Sequence, residues 1–387
     1  MLKRRMTRRE FVKKATVAAA GVGAGIYVAN SFFGARELSS TFMGTAPEKL
    51  WKWSKEGYHY IKLGNNVQCQ ICPNECILEE GERSRCRVKV CKNGKVYTLV
   101  YGNPCSVNMD PVEKKPLFHF LPRTGAFSIA TAGCNFRCKN CQNWQISQST
   151  PEETRNAELF PEQVVSEALR QGASSIAYTY SEPTIFYEYM YDTAKIARQS
   201  GLKNLWITNG YINHAALTDL CQYLDGANVD LKGFRESVYN DLNAGRLQPV
   251  LETLKTLKEK GVWFEITNLI VPTYTDDLGI IREMCRWLVQ NIGRDYPIHF
   301  SRFNPLHKLK TLPQTPVKTI EEARKIAVEE GIKYAYVGNV PNHKWESTFC
   351  PKCQKKVIAR TGYLIKENNL QNGKCKFCGE NIAGVWG

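Results

Sequence analysis

The sequence predicts an α/β protein built on a parallel sheet, with small cysteine-rich modules at both ends. The sheet is either an open doubly wound sheet or a partial or full β/α barrel, because strand-like and helix-like segments alternate from Phe127 onward. Most of the 15 cysteines fall into three groups at short gaps, as metal sites require. The chain of 387 residues is 43% hydrophobic and 23% charged, which excludes a disordered chain, a collagen-like fibre and a polytopic membrane protein.

Proline and glycine mark the boundaries of the predicted elements. Pro161 near the start of one apolar, helix-forming segment and Gly172 just past its end bound a helix at 161–171. The predicted strands are 127–131, 175–180, 204–208, 227–231, 262–271, 298–303 and 334–337. The other predicted helices are one that ends at Ser200, and 215–223, 249–260, 277–291 and 320–330.

Polar residues follow several predicted strands, at the edge where parallel α/β folds carry their chemistry. Glu182, Asn209, Asp230 and Lys232 all lie at such strand ends, as does a loop with three cysteines. Each of these residues also has a purely structural interpretation. Glu182 precedes a proline and is typical of a cap, and Asn209 precedes a glycine and is typical of a turn. Asp230 and Lys232 lie on one face of a strand and can pair with each other. Their shared placement therefore favours a site more strongly than any one of them does.

The N-terminal segment, residues 1–46, predicts a twin-arginine-like export signal or a membrane anchor. Arg8 and Arg9 lie in a basic stretch, and residues 15–35 carry no charge. We expect a protein folded in the cytoplasm and then exported or anchored, with retention in the cytoplasm as the alternative. The segment carries six of the fifteen units of net positive charge, so the charge says little about partners.

The loop Cys134-Asn-Phe-Arg-Cys138-Lys-Asn-Cys141 offers three thiols within eight residues and no nearby histidine. Three thiolates bind a [4Fe–4S] cluster and leave one iron open to another ligand. A structural zinc site with a distant fourth ligand is the alternative.

This spacing closely resembles the signature of the radical S-adenosylmethionine (SAM) enzymes. Further segments resemble the AmmeMemoRadiSam-system group of that family, which is similar to the pyruvate formate-lyase activating enzymes. The position before the last cysteine is usually aromatic in the family and is Asn140 here. The segments are Glu113–Pro122, Cys141–Trp144, Tyr178–Thr184, Thr208–Gly210, Asp230–Gly233 and Ser301–Phe303.

The resemblance implies a barrel of the radical SAM type and an enzyme of the oxidoreductase class that reductively cleaves SAM to a 5′-deoxyadenosyl radical. That radical abstracts hydrogen from a protein or small-molecule substrate. Glu182 would hold the amino group of the cofactor, Asn209 would lie along its ribose, and Asp230 and Lys232 would lie by its carboxylate. The implied partners are a flavodoxin- or ferredoxin-like one-electron donor and Memo-like and Amme-type companion proteins.

Two four-cysteine sets flank this region. Two CxxC pairs, 21 residues apart, predict a zinc ribbon with a hairpin between them, and a single iron is the rival metal. The less regular N-terminal set predicts either zinc or an auxiliary iron–sulfur cluster. The sets are Cys69, Cys72, Cys76 and Cys86 near the N-terminus, and Cys350, Cys353, Cys375 and Cys378 near the C-terminus.

The predicted domains are 1–46, the N-terminal cysteine-rich module 47–110, the barrel 111–345 and the ribbon-like module 346–387. Two other classes compete with the radical enzyme. Lysines crowd the C-terminal module, so a nucleic-acid-binding or RNA-modifying protein is one alternative, although such a run is more often a solvated face. An iron–sulfur electron carrier is the other, but it needs neither an open iron nor the polar strand ends.

Overall fold

The computed structural model describes residues 46–387, which lie in one compact unit. The predicted export signal or anchor lies outside the described residues, apart from Ala46, and it stays a prediction, as do the domain limits. In the described part of the chain, no helix has the length and apolar character needed to cross a membrane.

The N-terminal part consists of six short strands in two antiparallel sheets, ordered β1–β6–β5 and β2–β3–β4. The apolar clusters of these sheets are small, and one of them, with Val67, Leu78 and Val96, includes residues of both sheets. A core of this size gives little stability by itself. The strands are β1 Lys55–Glu56, β2 Tyr60–Leu63, β3 Asn66–Cys69, β4 Ile77–Leu78, β5 Lys89–Lys92 and β6 Lys95–Thr98.

An eight-stranded sheet forms the centre, and its strands lie side by side in chain order. The first two are antiparallel and the other neighbours are parallel. The strands are β7 Ser106–Pro111, β8 Gly125–Ala130, β9 Ser175–Tyr178, β10 Lys203–Thr208, β11 Gly226–Asp230, β12 Trp263–Ile270, β13 Ile298–Arg302 and β14 Ala335–Gly338. The helices are α1 Trp144–Ser147, α2 Pro161–Arg170, α3 Tyr187–Gln199, α4 His214–Cys221, α5 Leu247–Glu259, α6 Leu278–Asn291 and α7 Val317–Glu329.

This architecture confirms the predicted α/β fold and selects the partial barrel. Strand order does not reverse as it does in a doubly wound sheet, and β7 and β14 are the two unpaired edges of the sheet within residues 46–387. The predicted strands appear within a few residues of their expected limits. A helical turn at Glu236–Val238 continues into a wider, π-helical turn at Tyr239–Asn243, which ends at Ala244 with a left-handed φ of 56°.

The two faces of the sheet differ in polarity because successive side chains of a strand point to opposite faces. In β12, Phe264 and Ile266 join the main apolar core. Glu265, between them, accepts hydrogen bonds from the amide of His119 (2.6 Å) and pairs with Nε2 of His299 (2.7 Å). His299 is therefore a buried, hydrogen-bonded residue of the core.

The C-terminal module is a small antiparallel unit joined to the barrel. The predicted hairpin is present, since β16 and β17 pair across Gly362. Arg360 donates a hydrogen bond to the carbonyl of Phe118 (2.7 Å), and Val385 forms a parallel bridge with Phe120. The strands are β15 Thr348–Phe349, β16 Lys356–Thr361, β17 Leu364–Asn368, β18 Leu370–Gln371 and β19 Lys374–Cys375.

A buried ion pair joins the N-terminal module to the barrel. Lys89 of β5 contacts Glu188 of α3, and both side chains are at most 2% exposed. The other carboxylate oxygen of Glu188 accepts the amide of Tyr58 at 2.9 Å. Removing one partner of such a pair leaves a buried, uncompensated charge, which costs far more than the loss of a surface pair.

Lys89→Met is therefore expected to lower the free energy of unfolding by about 3–5 kcal/mol, measured by urea denaturation. The double variant Lys89→Met/Glu188→Gln should recover most of the loss, because the remaining glutamine is neutral and its carbonyl oxygen still accepts the Tyr58 amide. Lys52→Met, which breaks the exposed pair with Glu158, is the control and should cost about 1 kcal/mol or less. A loss at Lys89 no larger than in this control would contradict the assignment.

Candidate active site and metal centres

The loop that follows β8 carries Cys134, Cys138 and Cys141 and leads into α1. Burial raises the pKa of Cys138 to about 11, and the cation of Lys232 opposes that rise. Burial also holds the pKa of Cys134 well above its usual range, and the charges of Cys138 and Glu182 raise it further. Such thiols become thiolates when a metal replaces their protons.

Each of the three sulfurs has a polar neighbour. Asn243 donates a hydrogen bond to Cys138 Sγ at 3.2 Å, from the turn before α5. The hydroxyl of Ser147 lies 3.1 Å from Cys141 Sγ, and the amide of Phe136 donates to Cys134 Sγ at 3.4 Å. Hydrogen bonds to cluster ligands tune the reduction potential of an iron–sulfur centre.

Asn135 fixes the loop against the end of β10. Its side-chain nitrogen donates to the carbonyl of Tyr211 (2.9 Å), and its side-chain oxygen accepts from Asn209 (2.8 Å). Its backbone carbonyl accepts from Asn74 of the N-terminal module (2.9 Å). The structure thus brings Asn209 to the cysteine loop, and its role along a cofactor ribose stays a prediction.

Glu182 joins the ends of β9 and β10. One carboxylate oxygen accepts from the amide and the hydroxyl of Thr184 and from the hydroxyl of Thr208, and the other accepts from the amide of Asn209, at 2.6–3.0 Å. Burial raises its pKa, and these donors act in the opposite direction. Three of these donors converge on Oε1 and only one reaches Oε2, so Oε2 keeps an acceptor position that these bonds do not fill. Glu182 therefore orders the strand ends here, and its contact with a cofactor amino group stays a prediction.

Asp230 is the last residue of β11 and Lys232 follows the strand; the two pair with each other at 2.6 Å, as the alternative interpretation expected. Burial acts to lower the pKa of Lys232, but the charges of Asp230 and then Cys138 outweigh it and raise that pKa above its usual value. Lys232 thus places a fixed positive charge beside the cysteine loop. The Lys232 side chain is 20% exposed and that of Asp230 is 35% exposed, so both remain accessible to a ligand.

The N-terminal set brings its four thiols together. Burial raises the pKa of Cys69 to about 12, and it also raises those of Cys72 and Cys76. Charge on each thiol, Cys86 included, raises the pKa of another member, and every pair among the four interacts in this way. Cys91, another thiol of the module, is affected by no member of the set among its principal interactions.

The C-terminal set has the spacing of a single-ion site. Cys350 Sγ lies 3.6 Å from Cys378 Sγ, and Cys353 Sγ lies 3.7 Å from Cys375 Sγ. Four sulfurs about 2.3 Å from a tetrahedral zinc ion are about 3.8 Å apart, so the geometry fits. Among residues 46–387, this is the one group whose ligand atoms all lie within 4.8 Å of one another.

The N-terminal set lies directly against the cysteine loop. A Cβ added to Gly133 would lie 2.5 Å from the carbonyl oxygen of Cys86, and Gly133 has a φ of +99°. Arg137 of the loop donates a hydrogen bond to the carbonyl of Arg85. Residue 133 must therefore be glycine both for its backbone conformation and for this close approach.

Sequence reasoning missed several residues that hold this site. Asn135 and Ser147 lie within or just after the predicted loop, so their proximity was the one available signal. Asn243 and Arg87 are brought in by long-range packing, and no local motif marks them.

Comparison with known proteins indicates the family to which this arrangement belongs. A model of the radical SAM superfamily matches residues 128–288. An uncharacterized protein of Methanocaldococcus jannaschii is 47% identical over 331 residues, which are 85% of this chain and 98% of that protein. The pyruvate formate-lyase-activating enzyme of Clostridium pasteurianum is 24% identical over 187 residues, 46% of this chain and 76% of the enzyme. A crystal structure of a radical SAM methyltransferase from Sphaerobacter thermophilus covers 77% of this chain and 83% of its own, with a TM-score of 0.45 and 12% identity.

The fold and site define an α/β enzyme with a three-thiol loop at the carboxyl edge of a parallel sheet. The chain belongs to the radical SAM superfamily and is similar to pyruvate formate-lyase activating enzymes. The family implies a [4Fe–4S] cluster and SAM as cofactors. The donor set fits, because Cys134, Cys138 and Cys141 supply three thiols and Lys232 offsets negative charge beside them.

Gly133→Ala is expected to destabilise the protein and to lower its iron content after anaerobic reconstitution, because the new methyl group collides with Cys86. Gly172→Ala is the matched control: residue 172 has a φ of +70° and nothing within 4 Å of its Cβ position. Gly172→Ala should lower the free energy of unfolding only by the cost of a left-handed backbone for a residue with a side chain, about 1–2 kcal/mol, and leave the iron content unchanged. Equal losses of stability and iron in both variants would show that the contact with Cys86 has no role.

Proposed function

We propose that the chain generates a 5′-deoxyadenosyl radical from SAM at a cluster held by Cys134, Cys138 and Cys141. The observation that carries this proposal is the convergence of the loop with the ends of β9, β10 and β11. Glu182, Asn209 and Lys232 approach the loop from three neighbouring strands, which is where parallel α/β enzymes bind their ligands.

Different residues of the chain bind the cofactor and position the strand ends. Lys232 and Asp230 offer a cation and a carboxylate that match the zwitterionic amino-acid part of the cofactor. Glu182 holds the strand ends in place, and Asn209 connects them to the loop through Asn135. The cluster and cofactor, when bound, supply a radical that removes a hydrogen atom from the substrate. The protein supplies position and a buried environment.

The substrate is proposed only as a class, a protein or a small molecule. Similarity to an activating enzyme supports a protein substrate, and a small-molecule substrate is the alternative. Reduction of the cluster requires a one-electron donor of the flavodoxin or ferredoxin kind. Memo-like and Amme-type companions remain proposals that rest on the motifs alone.

The test is anaerobic reconstitution, reduction with dithionite and measurement of 5′-deoxyadenosine formed from SAM. The reconstituted protein should form it, and Cys138→Ala should form none, because the cluster loses one of three ligands. Cys221→Ala is the matched control, since this thiol lies on α4 outside the three sets, and it should retain the activity. Absence of 5′-deoxyadenosine from the reconstituted protein, or its persistence in Cys138→Ala, would contradict the proposal.

We also propose that the C-terminal set binds zinc, on the strength of its sulfur spacing. The purified protein should then contain about one zinc ion per chain at this site. Cys353→Ala should lose that zinc and melt at a lower temperature while its iron content stays unchanged. Iron in place of zinc, lost from the same variant, would show that the site is of the rubredoxin kind.

A further inference from the structure

Arg87 is a buried cation whose terminal nitrogens make no hydrogen bond in the described part of the chain. The residue is 2% exposed, and both terminal guanidinium nitrogens, Nη1 and Nη2, lack a hydrogen-bond partner there. Its φ of +74° is left-handed, which costs a residue with a side chain about 1–2 kcal/mol. Burial of an unpaired charge is expensive, so this arrangement indicates an anionic partner that completes the site.

Arg87 lies between the two neighbouring cysteine sets. The pKa of Arg87 falls to about 10, because burial and then the charge of Arg137 lower it, whereas Cys134, Cys86 and more weakly Glu153 raise it. Arg137 is in turn affected by Cys134, Cys86 and Cys76. Arg137 donates hydrogen bonds to the carbonyls of Cys134 (2.9 Å) and Arg85, so its guanidinium group also lies between the two sets. Negative charge on those thiols and on what they bind would compensate both.

The thiols of the N-terminal set are spaced too widely for the single-ion geometry of the C-terminal set. Within residues 46–387, the four thiols at 69, 72, 76 and 86 do not all lie within 4.8 Å of one another, and neither do the three of the catalytic loop. They nevertheless interact pairwise throughout. A cubane holds its four thiolates farther apart than one zinc ion does, because each sulfur binds a different iron.

We propose that Cys69, Cys72, Cys76 and Cys86 bind a second [4Fe–4S] cluster and that the guanidinium group of Arg87 compensates its charge. Contact between Cys86 and Gly133 places this cluster against the catalytic loop. The amide of Cys69 donates to the carbonyl of Cys76 and the amide of Glu75 donates to the carbonyl of Cys72, both at 3.0 Å, so backbone hydrogen bonds order the segment that carries these ligands. The N-terminal module thus carries an iron–sulfur site rather than a zinc site.

Metal counts on the reconstituted full chain test the site. We expect about eight irons per chain, of which about four remain in the triple variant Cys134→Ala/Cys138→Ala/Cys141→Ala. Cys69→Ala/Cys72→Ala should lose about four irons, whereas Cys91→Ala, the control thiol of the same module, should lose none. Zinc at the N-terminal set, with about four irons in all and none left in the triple variant, would overturn the proposal.

The role of Arg87 is tested on the cluster that survives in the triple variant. Arg87→Gln in that background should lower the midpoint potential of the remaining cluster, because loss of a nearby positive charge disfavours the more negative reduced form. Arg87→Lys should restore the potential most of the way. Iron content confirms that each variant is folded and loaded. An unchanged potential in Arg87→Gln would refute the assignment of this residue.

These outcomes are distinguishable from failure of the proposed function. A protein that holds about eight irons but forms no 5′-deoxyadenosine retains the second cluster and loses the proposed activity. A protein that forms 5′-deoxyadenosine with about four irons retains the activity and loses the second cluster.

Discussion

The cysteine loop has almost no regular structure of its own, so its position depends on the polar contacts that hold it on both sides. Asn135 binds it to the end of β10 through Asn209 and Tyr211, and Asn74 binds it to the N-terminal module. Arg137 adds a contact to Arg85 on the same side. Three thiolates that bind one cluster tolerate little displacement. The contacts on each side of the loop therefore hold the three cysteines in position.

Buried charge is the second feature that organises the molecule. Glu182 is compensated by four hydrogen-bond donors, and Lys89 by Glu188. Lys232 has Asp230, but it also lies near the thiols of the loop, and Arg87 interacts with the charges of Cys134, Cys86 and Glu153. The charges that are fully paired within the protein therefore stabilise the fold, and those that face cysteines mark where the protein meets an anionic cofactor.

Most of the fold and part of the site could be predicted from the sequence. Strand and helix limits followed from local patterns, and Glu182, Asn209, Asp230 and Lys232 shared a place at strand ends before their contacts were known. The approach of Cys86 to Gly133 and the burial of Arg87 could not be predicted, because they arise from the packing of a separate module against the loop. The same holds for Asn243, which reaches Cys138 from more than 100 residues away. The partial barrel was one of several alternatives, since local patterns do not tell which strands form the edges.

The central claim is that one iron of the catalytic cluster stays open and binds SAM directly. Electron paramagnetic resonance of the reduced, reconstituted protein tests it without reference to any substrate. In a variant that lacks the N-terminal thiols at 69 and 72, the account predicts that addition of SAM changes the spectrum of the remaining cluster. A spectrum that is identical with and without saturating SAM would contradict the account, because it would show that the cofactor does not reach the iron.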